Sequence, residues 1–509
     1  MSHPASIAFL AAHEARLSWR DWVYLMTAGR RHRTRTVAVV LVVFAAFMHL
    51  VAYGMVGSYL RADLGPDKAT LVAATGLLLL LLSLLLSQAM ESVTRAFYAR
   101  ADLDLILTSP VAPRKIFSIR LSAIAASVTV LAMLLAAPFI DVLAVLDGPH
   151  WLAAFGAVGA LGAVSASLAI ALTVALFRLI GPKRTRFIAQ VVAAVIGAAF
   201  VIGLQVVAIL SYGNLSRFAP LQSQWLIAHA PDIDSPLWLP ARAALGDLSA
   251  LTLIVAVAAI LLGLVVAIFA GRFGDDVMAA AGVAMNTVRQ TLSRGFRDGS
   301  AGSVLRRKEW ILLVRDPWLM SQTLMQILYL LPPALFLWRS FHSGTGAFVV
   351  IVPVLVMAAG QLAGGLAWLS ISGEDAPDLV ATAPIQASRI VAAKVEAVMG
   401  AIALVFAPVI VALAFASARA ALVSATGIAI AAGSATLIQL YFRVQARRSQ
   451  FRRRQVSSRM ATFAEAFSSI GWAATAALAV AGSWLTIFAA MMALGVLAGA
   501  RAVSPRRSD

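Results

Sequence analysis

The stretch DLILTSPVAPRKIFSIR, residues 104–120, carries charges and prolines between two long apolar runs. A related stretch, DLVATAPIQASRIVAAK, lies 274 residues later, at 378–394. Two of the aligned pairs, Lys115/Arg389 and Arg120/Lys394, keep their positive charge. Five of the seventeen pairs are identical, namely Asp104/Asp378, Leu105/Leu379, Thr108/Thr382, Pro110/Pro384 and Ile116/Ile390. The two copies indicate a duplicated unit.

A second pair of related stretches precedes the first apolar run of each half. Arg20-Asp21-Trp22-Val23 reappears as Lys308-Glu309-Trp310-Ile311, at an offset of 288 residues. The two offsets differ by only fourteen residues. They therefore fit one duplicated unit that contains a loop of different length in each half.

Composition excludes a soluble domain. Of the 509 residues, 61% are hydrophobic and 13% are charged, and the mean hydropathy is +0.88. The absence of cysteine excludes disulfides, a thiolate nucleophile and cysteine-ligated metal sites. A transmembrane helix needs about 20 apolar residues, so we predict an all-α polytopic membrane protein with about twelve spans. They are expected at 36–56, 69–90, 119–146, 152–179, 187–210, 249–271, 318–340, 348–371, 390–416, 420–441, 461–481 and 483–500.

The positive charges predict the orientation of these spans. With the N-terminus inside, 35 of the 41 Lys and Arg residues fall on cytoplasmic segments. The six on the outer side are Arg61, Lys68, Arg217, Arg242, Arg339 and Arg419. So large a bias over short loops predicts that both termini are cytoplasmic. It also accounts for the net charge of +18 without a nucleic-acid partner, and we expect none.

Six spans in each half predict two parallel repeats, related by an axis along the membrane normal. We expect the first half at 1–285 and the second at 286–509. Both copies of the opening stretch then lie on the cytoplasmic side. The longest outer segment, 211–248, contains Trp225 and Trp238. It is either a short capping structure or an ordinary interfacial loop with aromatic anchors.

No catalytic motif is visible. The chain has no G-x-x-x-x-G-K-[ST] loop, no H-E-x-x-H and no G-x-S-x-G, so we expect no catalytic residue, no metal and no cofactor in this chain. The spans contain few ionisable side chains, among them Asp141 and Glu465. His49 lies well inside a span, where we expect a hydrogen-bonded packing residue and not a ligand.

The opening stretch is the best functional candidate. We expect a surface helix that begins near Asp102, followed by a turn, with Pro110 or Pro113 at the start of the next helix. This element presents charges to the cytoplasm while it is joined to two spans. Two interpretations are open: the element docks a soluble partner, or it is an ordinary cytoplasmic loop that carries positive-inside charges. The Arg20-Asp21-Trp22 and Lys308-Glu309-Trp310 stretches indicate interfacial helices with tryptophan at the lipid headgroups.

This pattern resembles permeases of the type-2 exporter class of ATP-binding cassette (ABC) transporters, in the form where two six-span halves are fused. DLDLILTSPVAPRKI resembles their common "D-L-L-x-x-x-P-[VI]-[ST]" loop, and EDAPDLVATAPIQASRI matches it more loosely. LRRKEWILLVRDP resembles the segment that leads into a first span. About fifty positions carry the resemblance. One departure is that the second half lacks the outer insertion supplied by 211–248.

The resemblance implies a pore subunit that is driven, through coupling helices, by two copies of an ATPase subunit in separate chains. The implied contacts are Asp102, Asp104, Thr108, Pro110, Arg114 and Lys115 in one half, and Glu374, Asp378, Thr382, Pro384 and Arg389 in the other. It implies outward transport across a bacterial inner membrane, with ATP hydrolysis in the partner and not in this chain. The apolar spans suit an amphipathic or lipid-like substrate.

Two other classes remain as alternatives. An ion-coupled secondary transporter also has six plus six spans, but its commonest class carries a G-x-x-x-D-R-x-G-R-R-like loop that ESVTRAFYARADLDLILTSPVAPRKI does not match. A lipid-modifying membrane enzyme needs a convergent set of acids or histidines at one membrane face, and the sequence shows none.

Overall fold

A computed structural model describes residues 7–27, 34–59, 67–98, 112–212, 219–286, 300–315, 346–372, 380, 382–442 and 459–504, with a few positions between 324 and 339. All regular structure in these residues is helical. The chain divides into two compact units. One comprises Met1–Leu204 and Arg217–Thr291, and the other comprises Gln205–Ser216 and Leu292–Asp509.

The described helices up to residue 286 pack mainly around α3, α4, α5 and α9. In chain order they are α1 (Ile7–Thr27), α2 (Thr34–Tyr59), α3 (Lys68–Tyr98), α4 (Pro113–Leu146), α5 (Ala153–Ile180), α6 (Pro182–Val207), α7 (Gln224–His229), α8 (Leu239–Ala244) and α9 (Leu248–Asn286). Met90, Phe117, Leu121, Ile170 and Val265 contribute to a shared buried core. Apolar side chains from five helices, α3, α4, α5, α6 and α9, thus form the core of this unit.

The described helices after residue 299 pack around α11, α13 and α14. They are α10 (Ala301–Arg315), α11 (Gly346–Ser372), α12 (Ala387–Ala416), α13 (Ala418–Tyr441), α14 (Arg459–Ala481) and α15 (Leu485–Val503). Val352, Leu355 and Ala432 are fully buried in this core. Gly482, in the left-handed region with φ 74°, separates α14 from α15, because glycine adopts this conformation without a steric penalty.

Ten helices in the described part of the chain are long and apolar enough to cross a membrane. They correspond to ten of the twelve predicted spans. Many large apolar side chains on them are exposed, including Phe139, Ile260 and Phe488, which suits contact with lipid and not with water. The chain is therefore an all-α polytopic membrane protein.

The other two predicted spans have different outcomes. The first, at 36–56, lies in the helix α2, but its described apolar part, Leu41–Gly57, is shorter than a full span. The seventh, at 318–340, lies mostly outside the described residues. Among the ten apolar spans, the largest boundary difference is in the third, which starts at Arg114 and not at 119.

Candidate functional site

The predicted coupling residues fall partly outside the described chain. Asp102, Asp104, Thr108, Pro110, Glu374 and Asp378 lie there, so their placement stays a prediction. The others are exposed where a long apolar helix begins. They are Arg114 and Lys115 in the first turn of α4, Thr382 and Pro384 just before α12, and Arg389 in its first turn.

The helices α4 and α12 begin at positions that the sequence alignment pairs. Pro113 is the first residue of α4, as predicted for a proline at a helix start. Ala387 is the first residue of α12, and it lies 274 residues later, the offset between the two copies. The residues just before the two helices, Ala112 and Gln386, have a non-helical backbone, with ψ of 126° and 132°.

The predicted interfacial residues lie on α1 and α10. Arg20 is exposed on α1, and the side chains of Asp21 and Trp22 lie outside what the structure describes. On α10, Lys308 is partly buried, and Trp310 is partly exposed and packs against Gly400 of α12. Glu309 departs furthest from the predicted position at the membrane surface, because its side chain is 0% exposed.

Glu309 belongs to an ionic cluster that joins three helices. The Lys394 Nζ of α12 lies 3.0 Å from Glu309 Oε1 and donates to Oε2 at 3.1 Å. It also donates to the backbone oxygen of Ser370 in the last turn of α11. Lys308 Nζ lies 3.2 Å from the same carboxylate. The cluster therefore fixes α10, α11 and α12 at one point.

Sequence reasoning missed this cluster, although two signals were present. Lys394 aligns with Arg120, and Glu309 aligns with Asp21, so each half carries one acid and one base at matching positions. Arg120 is 6% exposed on α4, and α4 packs against α1. A base retained at the same place in both halves was a reason to look for an acidic partner on the interfacial helix.

Two of the polar residues predicted inside spans, His49 and Gln439, make helix–helix contacts. His49 of α2 shares a hydrogen bond of 2.8 Å with the Ala45 oxygen and lies 3.3 Å from Asp141 of α4. The expectation of a hydrogen-bonded packing residue at His49 is confirmed. Gln439 of α13 donates to the Glu465 carboxylate of α14 at 2.6 Å, which joins those two helices in the same way.

The segment between α6 and α9 is folded. Trp238 is buried and donates from Nε1 to the Asp232 oxygen at 3.0 Å, and Lys68 of α3 lies 3.0 Å from the Asp232 carboxylate. Leu221 packs against Gly76 of α3. Its described part is therefore a packed element on α3, and the buried Trp238 favours the capping structure over the interfacial loop. Trp225 remains exposed.

Comparison with known proteins adds no identity. No family model, curated protein or solved structure matches the chain. In the described residues, no group of three or more His, Asp or Glu side chains is placed to hold a metal ion. The arrangement offers exposed polar residues at two helix starts and a buried ionic joint beside one of them. These features are suited to docking and mechanical coupling.

Proposed function

We propose that this protein is the membrane-spanning permease subunit of an ATP-driven exporter of the ABC class. It works with separate ATPase subunits that hydrolyse ATP, and it moves an amphipathic or lipid-like substrate out of the cytoplasm. The observation that carries the proposal is the matching start of α4 and α12. Each helix begins inside one copy of the repeated stretch and exposes basic residues in its first turn, Arg114 and Lys115 or Arg389.

Two further observations support the same function. The ionic cluster around Lys394 ties the start of one such helix to an interfacial helix. A force applied at that helix start is then passed into the membrane-spanning core, because charge-assisted hydrogen bonds resist separation. The packed segment between α6 and α9 lies where permeases of the family that the sequence resembles carry an outer insertion. Positive-inside charge favours both termini in the cytoplasm of a bacterial cell.

The first test is purification of the tagged protein from its own membranes in mild detergent. We expect a stoichiometric chain with a P-loop and ATPase activity to co-purify. Reversing charge in both copies, with Asp104→Lys and Asp378→Lys, should release that chain. Asp234→Lys is the matched control, because Asp234 is an exposed acid in the segment between α6 and α9. A protein that purifies alone, under conditions that preserve other membrane complexes, contradicts the proposal.

An ion-coupled secondary transporter is the second candidate. It is favoured by the titratable side chains inside apolar helices, namely the His49–Asp141 contact and Glu465 beside Gln439. Intramembrane ionisable residues often mark ion pathways. Under this alternative, transport by the purified chain in vesicles depends on a proton or sodium gradient, and Asp141→Asn or Glu465→Gln abolishes it. Dependence on ATP alone excludes the alternative.

A further inference from the structure

The buried cluster at Lys394 joins the end of α11 to the first part of α12, on either side of segment 373–386. Ser370 lies two residues before the end of α11 at Ser372, and α12 begins at Ala387. One ammonium group therefore links the helix that enters segment 373–386, the helix that leaves it and the interfacial helix α10. A shift of α11 or α12 is therefore passed to α10 through this point.

We propose that Glu309 and Lys394 are positioning residues that make α10 move with the start of α12. The inference rests on the proposed function, because it assigns the pair a place in the response to the ATPase. The pair is desolvated, with side-chain exposures of 0% for Glu309 and 11% for Lys394. Separating two buried charges is costly, and Lys308, which lies 3.2 Å from the same carboxylate, is itself partly exposed at 29%. We therefore expect the Glu309–Lys394 contact to persist while the helices move.

A second ion pair between the same two helices provides an internal comparison. Arg306 of α10 lies 3.3 Å from Glu396 of α12, with exposures of 54% and 52%. Water and salt screen an exposed pair, and its net contribution is small. Of these two ion pairs, the buried one is therefore the stronger link between α10 and α12. The exposed pair is then a matched control that changes charge on the same surfaces without breaking the joint.

The first half buries a base at the aligned position. Arg120 of α4 aligns with Lys394 and is 6% exposed, and α4 packs against α1 as α12 packs against α10. A guanidinium is costly to bury. A buried base at the same aligned position in both copies indicates a role that the two copies share. It does not indicate a feature of packing in one half alone.

The experiment follows α10 directly, in the complex with its co-purified ATPase. Because the chain has no cysteine, Ile311→Cys on the exposed face of α10 provides a single reporter thiol. Its rate of labelling by a maleimide is measured with and without ATP plus orthovanadate. The measurement is repeated in Lys394→Met, Glu309→Gln, Lys394→Arg and Arg306→Gln, and retention of the ATPase chain is measured in every sample.

We expect a several-fold change of labelling rate on nucleotide trapping in the parent and in Arg306→Gln. The change is lost in Lys394→Met and Glu309→Gln while the ATPase stays bound, and Lys394→Arg restores part of it. If single variants do not fold, the double variant Glu309→Gln/Lys394→Met removes both charges, and it should fold without the response.

Three results count against the inference. An unchanged response in Lys394→Met or in the double variant, with the ATPase still bound, overturns this inference alone. A parent protein that binds no P-loop ATPase overturns the proposed function and the inference with it. An equal loss in Arg306→Gln also counts against the buried pair, because that variant leaves the Glu309–Lys394 contact in place.

Discussion

At the scale of single residues, Gly364 of α11 shows how closely the second core is packed. A Cβ atom at this position would overlap the carboxyl group of Glu465, the group that accepts the hydrogen bond from Gln439. The spacing Gly360-x-x-x-Gly364 is typical of close helix packing, and it has that role here, because Gly360 faces Ser469 one turn further along α14.

Gly364→Ala should displace the Glu465 carboxyl group and break its bond to Gln439. We expect a loss of about 1–3 kcal/mol, as for other overpacked cores, measured as a lower thermal midpoint of the purified protein in detergent. Gly365→Ala is the control, because nothing lies within 4 Å of a Cβ there. Gln439→Leu should add less destabilisation in Gly364→Ala than in the parent. Equal midpoints for the two alanine variants would contradict this packing.

Asp247 predicts a dependence of stability on pH. The Ser249 hydroxyl, the Ala250 amide and the Arg242 guanidinium donate to its carboxylate and hold its pKa well below the usual range. A carboxyl with a lowered folded pKa stabilises the fold above its unfolded pKa of about 3.9. That stabilisation is lost as the pH falls toward the folded pKa.

Asp247→Asn should therefore lower the thermal midpoint at pH 7. The difference from the parent should shrink as the pH falls below about 4, where the parent begins to lose the same charge in its unfolded state. Asp234→Asn, an exposed acid in the same segment, is the control, and we expect little change. A difference that stays constant down to the lowest pH at which the protein folds disproves this role of the carboxylate.

At the scale of elements, a small number of contacts holds the described part of the segment between α6 and α9 in place. Ser223 caps α7 by accepting from the Leu226 amide at 3.0 Å, and Trp238 packs with Leu71 and Val72 of α3 and with Ala241. Short helices of six residues are not stable alone. The segment is therefore held by tertiary packing around Trp238.

Trp238→Ala should release this segment from α3. Loss of a buried aromatic side chain costs about 3–5 kcal/mol, and limited proteolysis should then cut between 219 and 247. Trp225→Ala, at an exposed tryptophan in the same segment, should leave the segment resistant. Resistance of both variants to protease would show that the segment does not depend on Trp238.

At the scale of the whole molecule, the orientation of the helices across the membrane can be tested directly by labelling single cysteines. Positive-inside charge predicts that Thr382 faces the cytoplasm and that Asp234 faces the opposite side. In the cysteine-free chain, Asp234→Cys in intact cells should react with a membrane-impermeant maleimide. Thr382→Cys should react only after permeabilisation. Labelling of both sites in intact cells rejects six spans in each half with both termini inside.

Much of this architecture was predictable because a lipid environment constrains the sequence strongly. An apolar run long enough to cross a bilayer satisfies its backbone only as a helix, so ten spans followed from hydropathy. Pro113 marked the start of α4. Sequence gave less guidance on the site. The exposed coupling residues were named from the repeat, whereas the buried partner of Lys394 was not.

The sequence by itself determined the class of protein, the helical state of the described spans and the repeated stretch, because these depend on local composition and on spacing along one chain. Only the tertiary structure decided that Glu309 is buried against Lys394 and that Trp238 belongs to a packed segment. Glu309 and Lys394 are 85 residues apart. Contacts between residues so far apart depend on how helices pack side by side, which no local pattern specifies.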